Sequence, residues 1–249
     1  MIVQVLFHQV TPHADITVYE TDRLYGEKGH FRVLQFANAD VQGALDLNNP
    51  ERIVFEYPRA IIHLLEHHLG DLQHIFMIGQ GIGTLSRYFA DRHIQVAELN
   101  RTVAELSIEY FGCARDPLWI GDGRELLERQ PDHQYDSVIV DAFDESGTPN
   151  QLVSLEFFTL VQHKLHEQGA LIMNLIGRGT HDTRIHAIYT TICEVFPHVR
   201  CFQLPVEKNS DVRNIIMMGS QTLIQYQSRQ LAGFTEEQPD YAYVIRDEY

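Results

Sequence analysis

The chain has 249 residues, 44% of them hydrophobic, and a formal net charge of −15. That length supports one main domain with a sizeable core and a small appendage. The negative field excludes nucleic acid and anionic membrane surfaces as natural partners, favours small cations, and by itself keeps a protein soluble. Cys113, Cys193 and Cys201 are odd in number and lack CxxC spacing, so neither a disulfide framework nor a zinc site is indicated. The fourteen histidines show no HExxH or comparable ligand spacing, and no metal is predicted. No basic stretch precedes the first apolar run, and nothing approaches the ~20 apolar residues of a membrane span, so a cytoplasmic protein is expected.

From Met1 to about Leu47, short apolar runs such as Ile16-Thr17-Val18-Tyr19 and Phe31-Arg32-Val33-Leu34-Gln35-Phe36 alternate with turn formers. The turn formers are Gly26, Gly29 and Asn38-Ala39-Asp40, and the pattern predicts a small antiparallel β region. After Asn48-Asn49-Pro50 the period changes. Ala60, Ile61, Leu64, Leu65 and Leu69 mark one face of a helix ending near Gly70. The boundary is therefore placed between an N-terminal unit, residues 1–50, and a main domain, residues 51–249.

From His74 onward seven β-rich runs, HIFMIG, IQVAEL, LWIG, DSVIVDA, ALIMNLI, VRCFQL and RNIIMMG, are separated mostly by helical stretches. Runs apolar on both faces predict a doubly wound, mostly parallel, seven-stranded Rossmann-like sheet, an α/β fold covered on both sides. The last two runs lie close together, which predicts an antiparallel excursion at the sheet's end. The tail from Gln225 to Tyr249 reads as polar and aromatic and is expected to pack loosely. Ligands of such sheets sit beyond the carboxyl ends of the strands, where functional residues are to be sought.

The first run closes on Gly79-Gln80-Gly81-Ile82-Gly83-Thr84 and opens a helix, which lets backbone approach a ligand closely. A dinucleotide fingerprint needs glycine where Thr84 stands; the G-x-G-x-G spacing favours the adenosylmethionine class. A glycine-rich turn that merely packs a helix on a strand reads the same way. The second run ends at Glu98, nineteen residues after Gly79, where a carboxylate can accept from both ribose hydroxyls, with Leu99 beside it. Gly121-Asp122-Gly123 follows the third run; Asp122 could meet an adenine amino group, and it could cap the RELLERQ helix, a role compatible with binding. The fourth run ends at Asp141-Ala142-Phe143-Asp144. Carboxylates are rarely buried unless paired, so Asp141 and Asp144 are candidates for chemistry, against a reading in which they only cap a turn and face solvent.

The ordered set IGQGIG, ELN, IGDG, YDSVIVDAFD and LEFFTLVQHKLHEQGALIMNL resembles the catalytic core of spermidine synthases, over about residues 15–220. Val18-Tyr19-Glu20-Thr21 and Asp40-Val41-Gln42-Gly43 are similar to pieces of that family's N-terminal β region. The resemblance implies S-adenosylmethionine or its decarboxylated form as the donor, held by Gly79, Gln80, Gly81, Gly83, Glu98, Leu99, Asp122 and Gly123. It implies Asp141 as general base, Asp144 and Gln42 on the side of a small cationic amine acceptor, and a homodimer contact through the N-terminal strands. The chain departs from the family at Ile82, where an aspartate contacts the donor's amine. It also departs at Phe55-Glu56-Tyr57, where the family has a tyrosine-histidine-glutamate run, and at Gly26, where it has glutamine. Three functions follow: aminopropyl transfer to a small amine, methyl transfer from S-adenosylmethionine to a small molecule, or nucleotide binding without catalysis.

Overall fold

A computed structural model of the chain describes residues 3–11, 14–36, 41–116, 118–144, 147–178, 182–205 and 211–247. The alternating N-terminal segments form strands β1 (Val3–Thr11), β2 (Ala14–Leu24), β3 (Glu27–Phe36) and β4 (Val41–Asp46). They pair antiparallel in that order. Asn38-Ala39-Asp40 lies outside the described residues. One face of this sheet sets Ile16, Val18, Leu34 and Leu45 against Ile82 and against Val103, Leu106 and Phe111. The other sets Phe31, Val33 and Ala44 under Val54 and Phe55.

Helix α1 (Glu56–Leu69) follows, and its C-cap, Gly70, adopts a positive φ of 66° that an L side chain resists. The second sheet comprises β5 (His74–Ile78), β6 (His93–Glu98), β7 (Leu118–Ile120), β8 (Tyr135–Val140), β9 (Leu165–Gly177), β10 (His198–Gln203), β11 (Arg213–Ser220) and β12 (Thr235–Glu236). Its order is β12-β10-β11-β9-β8-β5-β6-β7. Strands β5 to β9 run parallel to their neighbours among themselves, while β11 pairs antiparallel with β9 and β10 with β11. The chain winds outward in both directions from β5 and β8, so the crevice for a ligand opens between those two strands.

Helices α2 (Thr84–Tyr88), α3 (Arg101–Phe111), α4 (Gly123–Glu128), α5 (Leu155–Lys164) and α6 (Thr183–Cys193) complete the winding. Alternate strand residues face opposite ways. Phe76, Val138, Val140, Leu171 and Met173 pack under α4 to α6, whereas Ile75, Met77, Ile139, Ile172 and Ile216 pack under α1 and α2. Among the described residues no helix is long and apolar enough to cross a membrane.

Two expectations need correction. The main sheet has eight strands rather than seven, because Thr235–Glu236 adds an edge strand to β10. The tail is not loosely packed. Leu231 and Phe234 enter the core beneath α1, and Ile245 enters the opposite core. Its backbone is tied down as well: Glu237 N–H donates to Cys201 O at 2.9 Å and Ile245 N–H to Thr191 Oγ1 at 2.9 Å. These apolar anchors are single residues without a helical or strand period, so composition averages them away. Phe234→Ala is expected to cost roughly 3–5 kcal/mol and lower Tm by roughly 6–20 °C in a thermal melt. A shift under about 2 °C would return the tail to the loosely packed class.

Candidate active site

The carboxyl ends of β5, β6, β7 and β8 converge on one crevice. Gly79, Gly81 and Gly83 all have positive φ (95°, 51° and 73°), so the loop takes a path closed to most other residues. Gly79 also has no room for a side chain: a Cβ there would lie 2.1 Å from the carbonyl oxygen of Asp141. Asp141 N–H donates to Ile78 O at 2.9 Å, which clamps the loop to the end of β8.

Glu98 is 8% exposed. Its Oε2 accepts from Gln80 N–H at 2.8 Å and its Oε1 from Asn100 N–H at 2.8 Å. Burial pushes its carboxyl above the usual range, against the pull of backbone amides from Gln80, Asn100, Gly81 and Leu99. Gln80 itself turns inward: its side chain is 4% exposed, with Nε2 directed at Ser107 Oγ. Its Oε1 has no partner among the described residues, while its backbone N–H goes to Glu98 and its carbonyl accepts from Gly83 N–H at 2.8 Å.

Leu99 is 71% and Ile120 41% exposed. Two apolar side chains left open at adjacent strand ends make walls for a flat ring. The sequence reading included Leu99 but missed Ile120. Asp122 caps α4: Oδ1 accepts from the N–H groups of Arg124 and Glu125 at 2.8 and 3.0 Å. Its Oδ2 accepts from Gln151 Nε2 at 2.7 Å, so both oxygens are engaged. Gly123 is needed for packing, since a Cβ would meet Ile78 Cγ2 at 2.4 Å.

Asp141 keeps some accessible surface, as a group that meets a substrate must, while protein encloses its carboxyl on the remaining sides. Asn174 Nδ2 donates to its Oδ1 at 2.8 Å, and the Tyr57 hydroxyl from the first turn of α1 is a second donor. Burial pushes this carboxyl up to about 6, the Asn174 and Tyr57 bonds pull it down, and the Glu98 charge adds to the rise. Tyr57 is held well above its ordinary value by burial and then by Asp141, so it remains a phenol that donates.

Asp144 lies three residues beyond Asp141, exposed, its N–H donating to Gly147 O at 2.8 Å. Gln42 sits half-buried on β4 beside Gly43. The structure thus brings together Gly79, Gly81, Glu98 and Asp141, and it leaves Gln42 outside that hydrogen-bonded group. Tyr57 and Asn174 escaped the sequence reading, although Asn174 is the one polar residue in ALIMNLI. Among the described residues no group of three or more His, Cys, Asp or Glu could hold a metal.

Ile82 does not line the crevice as a charged group would. It is 4% exposed, and a Cβ on Gly43 would come within 2.6 Å of its Cγ1. The side chain thereby fastens the N-terminal sheet to the glycine-rich loop.

A doubly wound sheet with this loop, an acidic end to β6 and a buried carboxyl at the end of β8 defines a nucleoside-binding transferase core. The spermine/spermidine synthase domain model matches residues 54–228. The chain belongs to the spermine/spermidine synthase family. A probable polyamine aminopropyl transferase of Bifidobacterium longum is 34% identical over 127 residues, 48% of this chain and 28% of that protein. The polyamine aminopropyltransferase of Chromobacterium violaceum is 25% identical over 213 residues, 81% of this chain and 78% of that one. The crystal structure of a probable spermidine synthase from Corynebacterium glutamicum superposes with a TM-score of 0.74 at 26% identity, covering 89% of this chain and 81% of that one.

The Gly43–Ile82 contact gives a direct check on the coupling of sheet to loop. Gly43→Ala forces a methyl against a branched side chain with little rotamer freedom, which typically costs ~1–3 kcal/mol. A lower Tm together with weaker nucleoside affinity by calorimetry is expected. Unchanged affinity would uncouple the N-terminal sheet from the loop.

Proposed function

We propose that this protein transfers an aminopropyl group from a sulfonium nucleoside, decarboxylated S-adenosylmethionine in the family's chemistry, to a small cationic amine, with Asp141 as general base. Membership of the family makes it a transferase of the aminopropyl class. The observation that carries the mechanism is the Asp141 carboxyl, enclosed at the switch point with its value pushed up to about 6.

A primary amine with a pKa near 10.4 is protonated at neutral pH, and freeing its lone pair costs roughly 4–5 kcal/mol. Asp141 receives that proton. The nitrogen attacks the carbon next to sulfur in line with the departing thioether; an N–C bond forms, the C–S bond breaks, and methylthioadenosine leaves as a neutral molecule. Glu98 is assigned to the ribose hydroxyls, Leu99 and Ile120 to the faces of the adenine ring, and Asp144 to a second cationic nitrogen of the acceptor. Asp122, with both oxygens engaged, supports the adenine pocket by fixing the start of α4 and the Gln151 side chain. The net charge of −15 favours approach of a polycation.

One observation favours a second donor. With Ile82 in an apolar cluster, position 82 supplies no counter-charge for a donor amine, so the site has less reason to reject S-adenosylmethionine itself. Incubation with each donor and a panel of diamines, followed by mass analysis, separates the two. Methylthioadenosine as product supports aminopropyl transfer, and S-adenosylhomocysteine would replace it with methyl transfer.

Methylthioadenosine at 100 times its Kd is expected to add ~2.7 kcal/mol of stability, visible as a raised Tm, while nicotinamide dinucleotides add nothing. Glu98→Ala should weaken nucleoside binding by ~1.5–3 kcal/mol, read by calorimetry. Asp141→Asn keeps the shape of the side chain but cannot take the proton. Turnover should fall by ~10²–10⁴ with nucleoside affinity little changed. In the wild type the ionised, active form of Asp141 accumulates as pH rises through about 6, so the acidic limb of the rate profile should lie there. An Asp141→Asn protein with wild-type turnover would remove Asp141 from the chemistry.

A further inference from the structure

Asp141 is the end of a chain of side-chain hydrogen bonds that crosses three strands of the main sheet. Asn174 on β9 is 1% exposed, and its Nδ2 donates to Asp141 Oδ1 at 2.8 Å. Its Oδ1 in turn accepts from Asn214 Nδ2 on β11 at 3.0 Å. The sheet register accounts for this contact: Asn174 is paired with Ile216, and Asn214, two residues away, projects from the same face of β11.

The direction of the chain follows from what each group can do. An ionised carboxylate only accepts, so Asn174 must turn its Nδ2 toward Asp141. Its Oδ1 then faces β11 and needs a donor, because a buried carbonyl oxygen without one is costly. Asn214 supplies that donor. Turned the other way, Asn174 would present Oδ1 to Asp141, an arrangement that suits the protonated acid and opposes the carboxylate. The titratable groups facing Asp141 are Tyr57 from α1 and Glu98 from β6, and neither touches Asn174 in the hydrogen bonds described above.

We infer that Asn214 is a positioning residue: by holding the Asn174 amide in one orientation it keeps Asp141 in its ionised, proton-accepting form. The inference rests on the reading of Asp141 as the base. Asn214 lies two strands away from Asp141 in the sheet, so its effect passes through Asn174 rather than through contact with substrate.

Two variants test this, with Asp141→Asn as the control. Asn214→Leu is similar in size and has no donor; Asn214→Asp is isosteric and offers only acceptors. Single-turnover rates from about pH 5 to 9 should show a near-normal plateau at high pH in both. The acidic limb, near pH 6 in the wild type, should move up by about one pH unit, which is a roughly tenfold slower rate on the acid side. Infrared titration gives a readout independent of turnover: the carboxylic C=O band absent from Asp141→Asn should persist to higher pH in both variants. An unmoved limb and band in folded Asn214 variants, with Asp141→Asn inactive, would overturn the role of Asn214 alone. A wild-type limb retained in Asp141→Asn would overturn the reading of Asp141 as base, and this inference with it. Loss of Tm without movement of the limb would leave Asn214 an ordinary packing residue and overturn the assignment.

Discussion

The close approach of Gly79 to the backbone of Asp141 is the constraint on which the site depends. The first loop leaves β5 directly beside the end of β8, and a Cβ at position 79 would sit 2.1 Å from the Asp141 carbonyl oxygen. Only glycine permits that contact, and the positive φ of 95° excludes most alternatives independently. Because the loop is held there, its amides reach Glu98 on one side while Asp141 is enclosed on the other. A single backbone contact at the switch point therefore places the nucleoside-side carboxylate and the proposed base in one crevice.

Burial raises the proton affinity of both carboxyls, and the two meet it with different partners. Glu98 is met by backbone amides, partners that cannot titrate or swing away, and it is suited to a fixed role as acceptor of ligand hydroxyls. Asp141 is met by a phenol and an amide on flexible side chains, and it feels the Glu98 charge as well. Its proton affinity is consequently set by groups whose orientation the fold must control. Burial alone would favour the protonated acid; Tyr57 and Asn174 draw it back toward the carboxylate. A base for an amine needs that balance, since a fully solvated aspartate is too weakly basic and an unsupported buried one stays protonated.

Most of the fold was legible in the sequence. The runs HIFMIG to RNIIMMG mark the strands because strands covered on both faces must be continuously apolar, and Gly70 marks the end of α1 because its conformation resists a side chain. The two-residue strand Thr235–Glu236 and the anchored tail were not legible: isolated residues such as Phe234 and Ile245 carry no period, and only the finished core shows where they go. Within the site, the loop glycines, Glu98 and Asp141 could be read from motif order and strand ends. Asp122 was readable as a helix cap and as a ligand contact, two compatible roles, and the cap is formed at the start of α4. Tyr57, Asn174 and Asn214 act through contacts between elements distant in sequence, and no local pattern announces such contacts.

Ile82 shows how one substitution changes what a loop does. At the position where the resembled family has a carboxylate, this chain has a branched hydrocarbon that fits against the bare backbone of Gly43 and joins the cluster of Ile16, Val18, Leu34 and Leu45. An aspartate could not occupy that cluster without an unpaired charge among apolar groups. At this position the loop makes a packing contact with the N-terminal sheet. On the proposed function, recognition of the donor rests on Glu98, the apolar walls and the glycine backbone, groups assigned to the nucleoside and not to the far end of the sulfonium chain. On the proposed function, selectivity for that far end falls to the acceptor side of the crevice, where Asp141 and Asp144 are the carboxyls assigned to the amine.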